Sequence, residues 1–201
     1  MDKNEFELLL AKSYAYFDDG EYRKFLDAFG KCYAFDMTCF DSDVNVFRFS
    51  LASYASGDDT DLTEFNRFFP LLGTYLKSLP TATEKESIQN KIKEILDDTF
   101  VRAIGENPVV YYPSFNKACF ALEQQYKYLV WLCENDTEVV GLLKEELYDA
   151  ILRKIVLLKK VIFCSGSKYV SNFVFLPKRP RKFLREIKKG LKQLKKKSLV
   201  F

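Results

Sequence analysis

Residues 137–164 have the sequence TEVVGLLKEELYDAILRKIVLLKKVIFC, and this stretch decides the fold class. Its apolar side chains recur every three or four residues, at Val140, Leu143, Leu147, Ile151, Ile155 and Leu158. That spacing places them on one face of an α-helix, and the run is too long for a strand. The sequence therefore predicts a long amphipathic helix here.

The same spacing recurs through the chain before this stretch. Helical runs are predicted over residues 6–17, 22–32, 42–54, 62–79 with a break at Pro70, 83–104 and 114–133. Residues Thr83 to Glu86 have the pattern of a capping box at the start of a helix. The low counts of Gly (8) and Pro (6) favour long helices over a turn-rich β-sandwich. We expect an all-α helical bundle of six or seven helices.

The first two predicted helices form a hairpin around Gly20. Residues 11–29, AKSYAYFDDGEYRKFLDAF, resemble the middle of a tetratricopeptide repeat, in which small and aromatic residues precede an exposed turn glycine and an aromatic residue follows it. No second copy follows at the period of about 34 residues that such repeats have. The resemblance therefore implies one isolated helix pair and not a solenoid.

Charge is divided unevenly along the chain. The last 24 residues hold eleven of the 31 Lys and Arg and one of the 28 Asp and Glu, so they carry +10 and the first 177 residues carry −7. The eleven bases are Lys178, Arg179, Arg181, Lys182, Arg185, Lys188, Lys189, Lys192, Lys195, Lys196 and Lys197. We predict an acidic all-helical globular body over 1–164, a connector over 165–177 and an extended basic C-terminal arm over 178–201. Such segregation indicates a polyanionic partner.

Apolar residues also follow helical spacing within the arm. This amphipathic stripe consists of Leu184, Ile187, Leu191 and Leu194. An anionic membrane surface, a partner protein and the body of the chain itself remain open as its binding partner. Residues 177–182, PKRPRK, also match a nuclear import signal, although such a signal needs only about five bases.

The residue content argues against an enzyme and against a metal site. His is absent, which removes the commonest general base near neutral pH and every mixed Cys/His zinc site. The five cysteines contain no C-x-x-C pair, and we interpret them as buried free thiols in a reducing compartment. We therefore expect no catalytic residue, no metal, no cofactor and no small-molecule substrate.

Nothing in the sequence predicts export or membrane insertion. Residues 1–5 are polar and acidic, unlike a signal peptide. The most apolar stretch, residues 151–164, contains four Lys and Arg and is too short to span a bilayer. We expect a cytoplasmic protein.

A compact helical body with a long basic arm, and a composition that suits a genome rich in A and T, resembles the dormancy factors that occupy ribosomes of microsporidian parasites. The resemblance implies an arm inserted into ribosomal RNA and a body that contacts ribosomal proteins and blocks a functional site. We therefore predict a non-enzymatic, ribosome-associated, RNA-binding factor of the hibernation type that inhibits translation, in which the eleven bases contact phosphate. The alternative is a helical interaction protein whose tail binds anionic membrane or a partner protein, or serves as an import signal.

Overall fold

The computed structural model describes residues 1–57, 68–105, 112–135, 141–164 and 180–197. These residues form eight α-helices and one 3-10 helix and contain no strand, which confirms the prediction of an all-α protein. The chain divides into two compact units, which we call unit 1 (Met1–Lys85) and unit 2 (Glu86–Phe201). The predicted connector over 165–177 lies outside the described residues.

The described part of unit 1 begins with a helical hairpin. Unit 1 contains α1 (Lys3–Asp18), α2 (Tyr22–Phe35), a 3-10 helix (Met37–Phe40), α3 (Asp43–Ser56), α4 (Phe68–Ser78) and the first turn of α5 (Ala82–Gly105). A capping box begins α1: Asp2 Oδ1 accepts from the Glu5 N–H at 2.8 Å, and Glu5 Oε2 accepts from the Asp2 N–H at 2.9 Å. Gly20 has φ +76°, a conformation that costs glycine little, and it allows α2 to pack back on α1. The predicted hairpin is confirmed.

The core of unit 1 is aromatic. Phe47 is fully buried, and its ring centroid lies 4.8 Å from that of Phe68 and 4.3 Å from that of Tyr75. Phe17 of α1 meets Phe25 of α2 edge to face at 5.4 Å. Stacked and edge-to-face pairs of this kind contribute about 0.5–1.5 kcal/mol beyond the burial of their area. The aromatic excess of the sequence therefore supplies the packing of this unit.

Unit 2 contains most of α5, together with α6 (Tyr112–Glu134), α7 (Gly141–Cys164) and α8 (Pro180–Lys196). The helix α5 begins earlier than predicted because Thr81 caps it. Thr81 Oγ1 accepts from the Glu84 N–H at 3.2 Å, and Glu84 Oε2 accepts from the Thr81 N–H at 3.0 Å. The capping box therefore lies at 81–84 and not at the predicted 83–86. The long helix predicted over 137–164 is α7, whose described part begins at Gly141.

The core of unit 2 is mainly aliphatic and contains a polar network. Fully buried members include Leu122, Leu129, Leu147, Ile151 and Leu158. Asp97 of α5 accepts a hydrogen bond from Gln125 Nε2 of α6 at 2.7 Å and forms an ion pair with Lys154 of α7. Tyr128 Oη donates to the carbonyl oxygen of Gln89 at 3.0 Å. One carboxylate thus joins three helices.

The described part of the basic tail is a helix where the sequence predicted an extended arm. Seven α-helices begin before residue 165 in the described residues, and α8 adds an eighth that packs against α6 and α7. Pro180 occupies its first position, where the missing N–H removes no helical hydrogen bond. Apolar residues at helical spacing then give the segment one side to bury, so the tail folds onto its own unit.

Candidate polyanion-binding surface

The apolar stripe of α8 holds this helix against α6 and α7. Leu184 and Leu191 are fully buried and Ile187 is 4% exposed, whereas Leu194 at the end of the stripe is partly exposed. Burying an aliphatic side chain of this size contributes about 1.5–3 kcal/mol. Of the three partners that the sequence left open for this stripe, the structure shows the body of the chain itself.

Gly190 allows α8 to approach α6 closely. A Cβ atom at this position would lie 1.9 Å from Tyr126 Oη and 2.7 Å from Tyr126 Cζ, so a side chain here would displace the ring. Burial raises the pKa of this tyrosine above its ordinary value. Glycine inside a helix costs about 1 kcal/mol relative to alanine. The close contact with Tyr126 offsets that cost and explains the glycine.

The predicted phosphate-binding residues lie outside the buried stripe, in water. The nine that the structure describes are all exposed: Arg181, Lys182, Arg185, Lys188, Lys189, Lys192, Lys195, Lys196 and Lys197. Lys178 and Arg179 lie outside the described residues, as does the chain end after residue 197. Since the apolar stripe is buried and these bases are exposed, α8 presents its charge without undocking.

Eight of the nine exposed bases, all but Lys197, fall into two rows. Five of them, at 181, 185, 188, 192 and 195, follow one another at spacings of four, three, four and three, which keeps them on one side of the helix. We call them the inner row because they lie beside α7: Lys195 Nζ is 6.0 Å from the ring centroid of Tyr148, and Arg181 and Arg185 lie near Lys159. The outer row consists of Lys182, Lys189 and Lys196, each seven residues apart. Because the start of α8 lies near Lys159 and its end lies near Tyr148, α7 and α8 run antiparallel.

The helix α7 also contributes to this surface, which was not predicted from the sequence. Arg181 and Arg185 line a cleft of about 600 Å³ together with Lys159 and Ile162 of α7. A signal was present, because residues 150–164 contain four Lys and Arg and no Asp or Glu. Those bases argue against a membrane-spanning helix. They also extend the positive surface of α8 onto α7.

The charges of the chain separate between the two units. Unit 1 contains 9 Lys and Arg and 15 Asp and Glu, a net charge of −6, whereas unit 2 contains 22 and 13, a net charge of +9. Within unit 2, residues 86–177 contain 11 bases and 12 acids and are nearly neutral. The acid excess predicted for the whole body thus belongs mainly to unit 1, and α8 packs on helices that add little negative charge.

The described cysteines are buried. Cys32, Cys39, Cys119 and Cys133 are unbridged thiols, and burial raises the pKa of each, that of Cys119 to about 12. They are therefore protonated near neutral pH and are poor nucleophiles. The described part of the chain contains no cluster of three or more His, Cys, Asp or Glu that could hold a metal ion. The structure describes the backbone of Cys164 but not its side chain.

None of the described helices is both long enough and apolar enough to cross a membrane. Comparison with protein-family models, with curated proteins and with solved structures finds no match to this chain. The functional interpretation therefore depends on the geometry and the charge of the chain itself.

Proposed function

We propose that this protein is a non-enzymatic RNA-binding factor that contacts phosphate through the exposed bases of α8, with ribosomal RNA and ribosomal proteins as its partners. One observation carries the proposal: the apolar side of α8 is buried against α6 and α7, while every described base of the helix is exposed. Each base that neutralises a phosphate releases condensed counterions, which gives affinity that tolerates sequence and falls with salt. A helix that is already docked also loses less conformational entropy on binding than a free arm.

The burial of the stripe favours RNA over lipid. A helix that lies in a membrane interface places its apolar side among the acyl chains. In α8 that side is formed by Leu184, Ile187 and Leu191, which already pack inside unit 2. Membrane insertion would require α8 to leave α6 and α7, whereas binding to phosphate leaves these contacts intact.

The ribosome is the first RNA particle to test. The support is the resemblance of this architecture and composition to the dormancy factors of microsporidian ribosomes. The acid excess of unit 1 repels phosphate, so in such a complex unit 1 would face protein while α8 faces RNA. A factor bound in this way in the cytoplasm inhibits translation by occupying a functional site.

The test uses the full chain with three inner-row bases neutralised, Arg185→Gln, Lys188→Gln and Lys192→Gln. Binding to ribosomes is measured by sedimentation, and binding to a structured ribosomal RNA fragment by filter retention, each from about 50 to 200 mM salt. We expect the slope of log K against log salt to become shallower by about 2 to 3, because roughly one counterion is released per phosphate contact.

A matched control removes the same charge from unit 1. Lys12, Lys31 and Lys77 are all exposed, and the triple change to Gln there should leave RNA affinity and its salt slope unchanged. Substitution is preferable to deletion of the tail, because deletion would also uncover the surfaces of α6 and α7 that α8 buries.

Two outcomes would overturn the proposal. In one, the inner-row and control triples bind RNA equally well. In the other, the unchanged chain fails to sediment with ribosomes yet floats with vesicles that contain phosphatidylserine, which would support the membrane alternative.

A further inference from the structure

The described lining of the cleft between α7 and α8 comes from three cationic residues and one isoleucine. These are Lys159 and Ile162 of α7 and Arg181 and Arg185 of α8, and the volume of the cleft is about 600 Å³. Ile162 is 5% exposed, while the three cations are exposed. This volume lies within the range of about 300–1,000 Å³ that small-ligand sites occupy.

These cations are not neutralised by the described part of the chain. Neither Lys159 nor Arg181 nor Arg185 forms an ion pair with a described carboxylate. The nearby half of α7, residues 150–164, contributes no acid, and α8 contains one, Glu186. Like charges held around one cleft repel one another, and a bound anion would convert that repulsion into attraction.

One of the arginines is held in place by the backbone. Arg185 Nε donates a hydrogen bond to the carbonyl oxygen of Arg181 at 3.2 Å, one helical turn earlier. That contact uses one of the five guanidinium donors and leaves the two terminal NH2 groups for a ligand. Two arginines and a lysine form a set suited to phosphate, because guanidinium groups bind phosphate oxygens in pairs.

We infer that this cleft binds a linear polyphosphate group. Inorganic tripolyphosphate, nucleoside triphosphates and the 5′-triphosphate end of an RNA share this group. A single backbone phosphodiester carries one negative charge and would leave two of the three cations unpaired, whereas a polyphosphate brings several charges into one small volume.

The cleft shares Arg181 and Arg185 with the proposed RNA surface, but Lys159 and the choice of probe allow the two proposals to fail independently. Lys159 belongs to α7, so its substitution leaves every base of α8 in place. Binding of 5′-hydroxyl RNA reports on the surface of α8, and binding of tripolyphosphate reports on the cleft.

The experiment titrates the full chain with sodium tripolyphosphate by isothermal calorimetry, with orthophosphate and sulfate as comparisons. We expect one saturable site that prefers tripolyphosphate to either comparison anion by at least about tenfold. Lys159→Gln should weaken tripolyphosphate binding about tenfold, the loss expected for one charge-assisted contact. The adjacent Lys160→Gln is the matched control, since this lysine is exposed and does not line the cleft, and it should have no effect.

Equal effects of Lys159→Gln and Lys160→Gln would overturn the inference, as would equal affinity for tripolyphosphate and orthophosphate or the absence of saturable binding. Two further titrations identify the source of the group. ATP binding that Lys159→Gln weakens assigns the cleft to free nucleotides. A preference for 5′-triphosphate RNA over 5′-hydroxyl RNA that the same substitution removes assigns it to RNA ends.

Discussion

Unit 1 and unit 2 build their helical cores from different residue types. Unit 1 holds 17 of the 31 Phe and Tyr in 85 of the 201 residues, and its buried polar side chains are short ones, Ser13, Asn45 and Ser50. Unit 2 packs aliphatic side chains and buries longer polar ones, Gln89, Gln124, Gln125 and Lys144. The stability of unit 1 therefore depends on ring packing, and that of unit 2 depends on which buried polar groups find partners.

The net charge also differs between unit 1 and unit 2. Unit 1 is acidic, whereas unit 2 carries the basic helix on a nearly neutral support. The proposed polyanion-binding surface therefore lies in unit 2, and its bases come from that unit alone. Substitutions that act on one unit at a time can test this separation.

The largest effect is expected in the core of unit 1, from Phe47→Ala. This ring is fully buried and stacks on Phe68 and Tyr75, so its removal leaves a cavity and should cost about 3–5 kcal/mol of the free energy of unfolding. Urea unfolding is followed by far-UV circular dichroism and by the fluorescence of Trp131, the single tryptophan, which lies in α6 of unit 2. The dichroism transition should move to lower urea while the Trp131 transition stays in place.

Phe35→Ala serves as the control for this substitution. Phe35 belongs to the same unit but is 50% exposed, and its ring contact is with Phe6 at 5.4 Å. The same change there should cost about 1 kcal/mol or less. If Phe47→Ala moved the Trp131 transition as far as the dichroism transition, the two units would unfold as one and the comparison would fail.

The next effect is expected in unit 2, from Leu191→Asp. This side chain is fully buried beneath α8, and an acid in its place would bring an unpaired charge into the contact with α6 and α7. A loss of about 3 kcal/mol of docking free energy raises the undocked population about 100-fold. Trypsin should then cleave within α8 faster by up to that factor, because cleavage follows the population of the open form.

The control adds the same charge two residues further along. Gln193 is exposed, so Gln193→Asp should leave the docked helix and its rate of cleavage nearly unchanged. Equal cleavage rates in Leu191→Asp and Gln193→Asp would show that the apolar stripe does not hold α8 in place.

The sequence was sufficient to predict α1 to α7, apart from the break it placed at Pro70, which lies inside α4, and insufficient to predict what the helices contact. Apolar spacing gave α7 and the stripe of α8, because burial and helical period are local properties of the chain. The same spacing fits a membrane, a partner or the chain itself, and no local property distinguishes them. The contact between Gly190 and Tyr126 joins residues 64 positions apart, so the pattern of neither helix could predict it.

The cleft between α7 and α8 was missed for the same reason. Lys159 looks like an ordinary surface base in the sequence, and only the antiparallel packing of α8 brings Arg181 and Arg185 beside it. The polar network around Asp97 is a similar case, because its three members come from three helices. Pairings across helices depend on the tertiary fold, and a single sequence does not specify them.

The smallest predicted effect separates two neighbouring glutamines of α6. Gln124 and Gln125 are both fully buried. Among the described residues neither side-chain polar atom of Gln124 has a hydrogen-bond partner, whereas Gln125 lacks one only at Oε1 and its Nε2 donates to Asp97. Gln124→Met keeps the volume and removes an unsatisfied amide, so it should stabilise unit 2 by about 1 kcal/mol. Gln125→Met takes a partner from a carboxylate and should destabilise it by about 1–2 kcal/mol. The midpoint of urea unfolding followed by Trp131 fluorescence should therefore move in opposite directions, and shifts of the same sign would show that Gln124 is satisfied by a partner such as an ordered water.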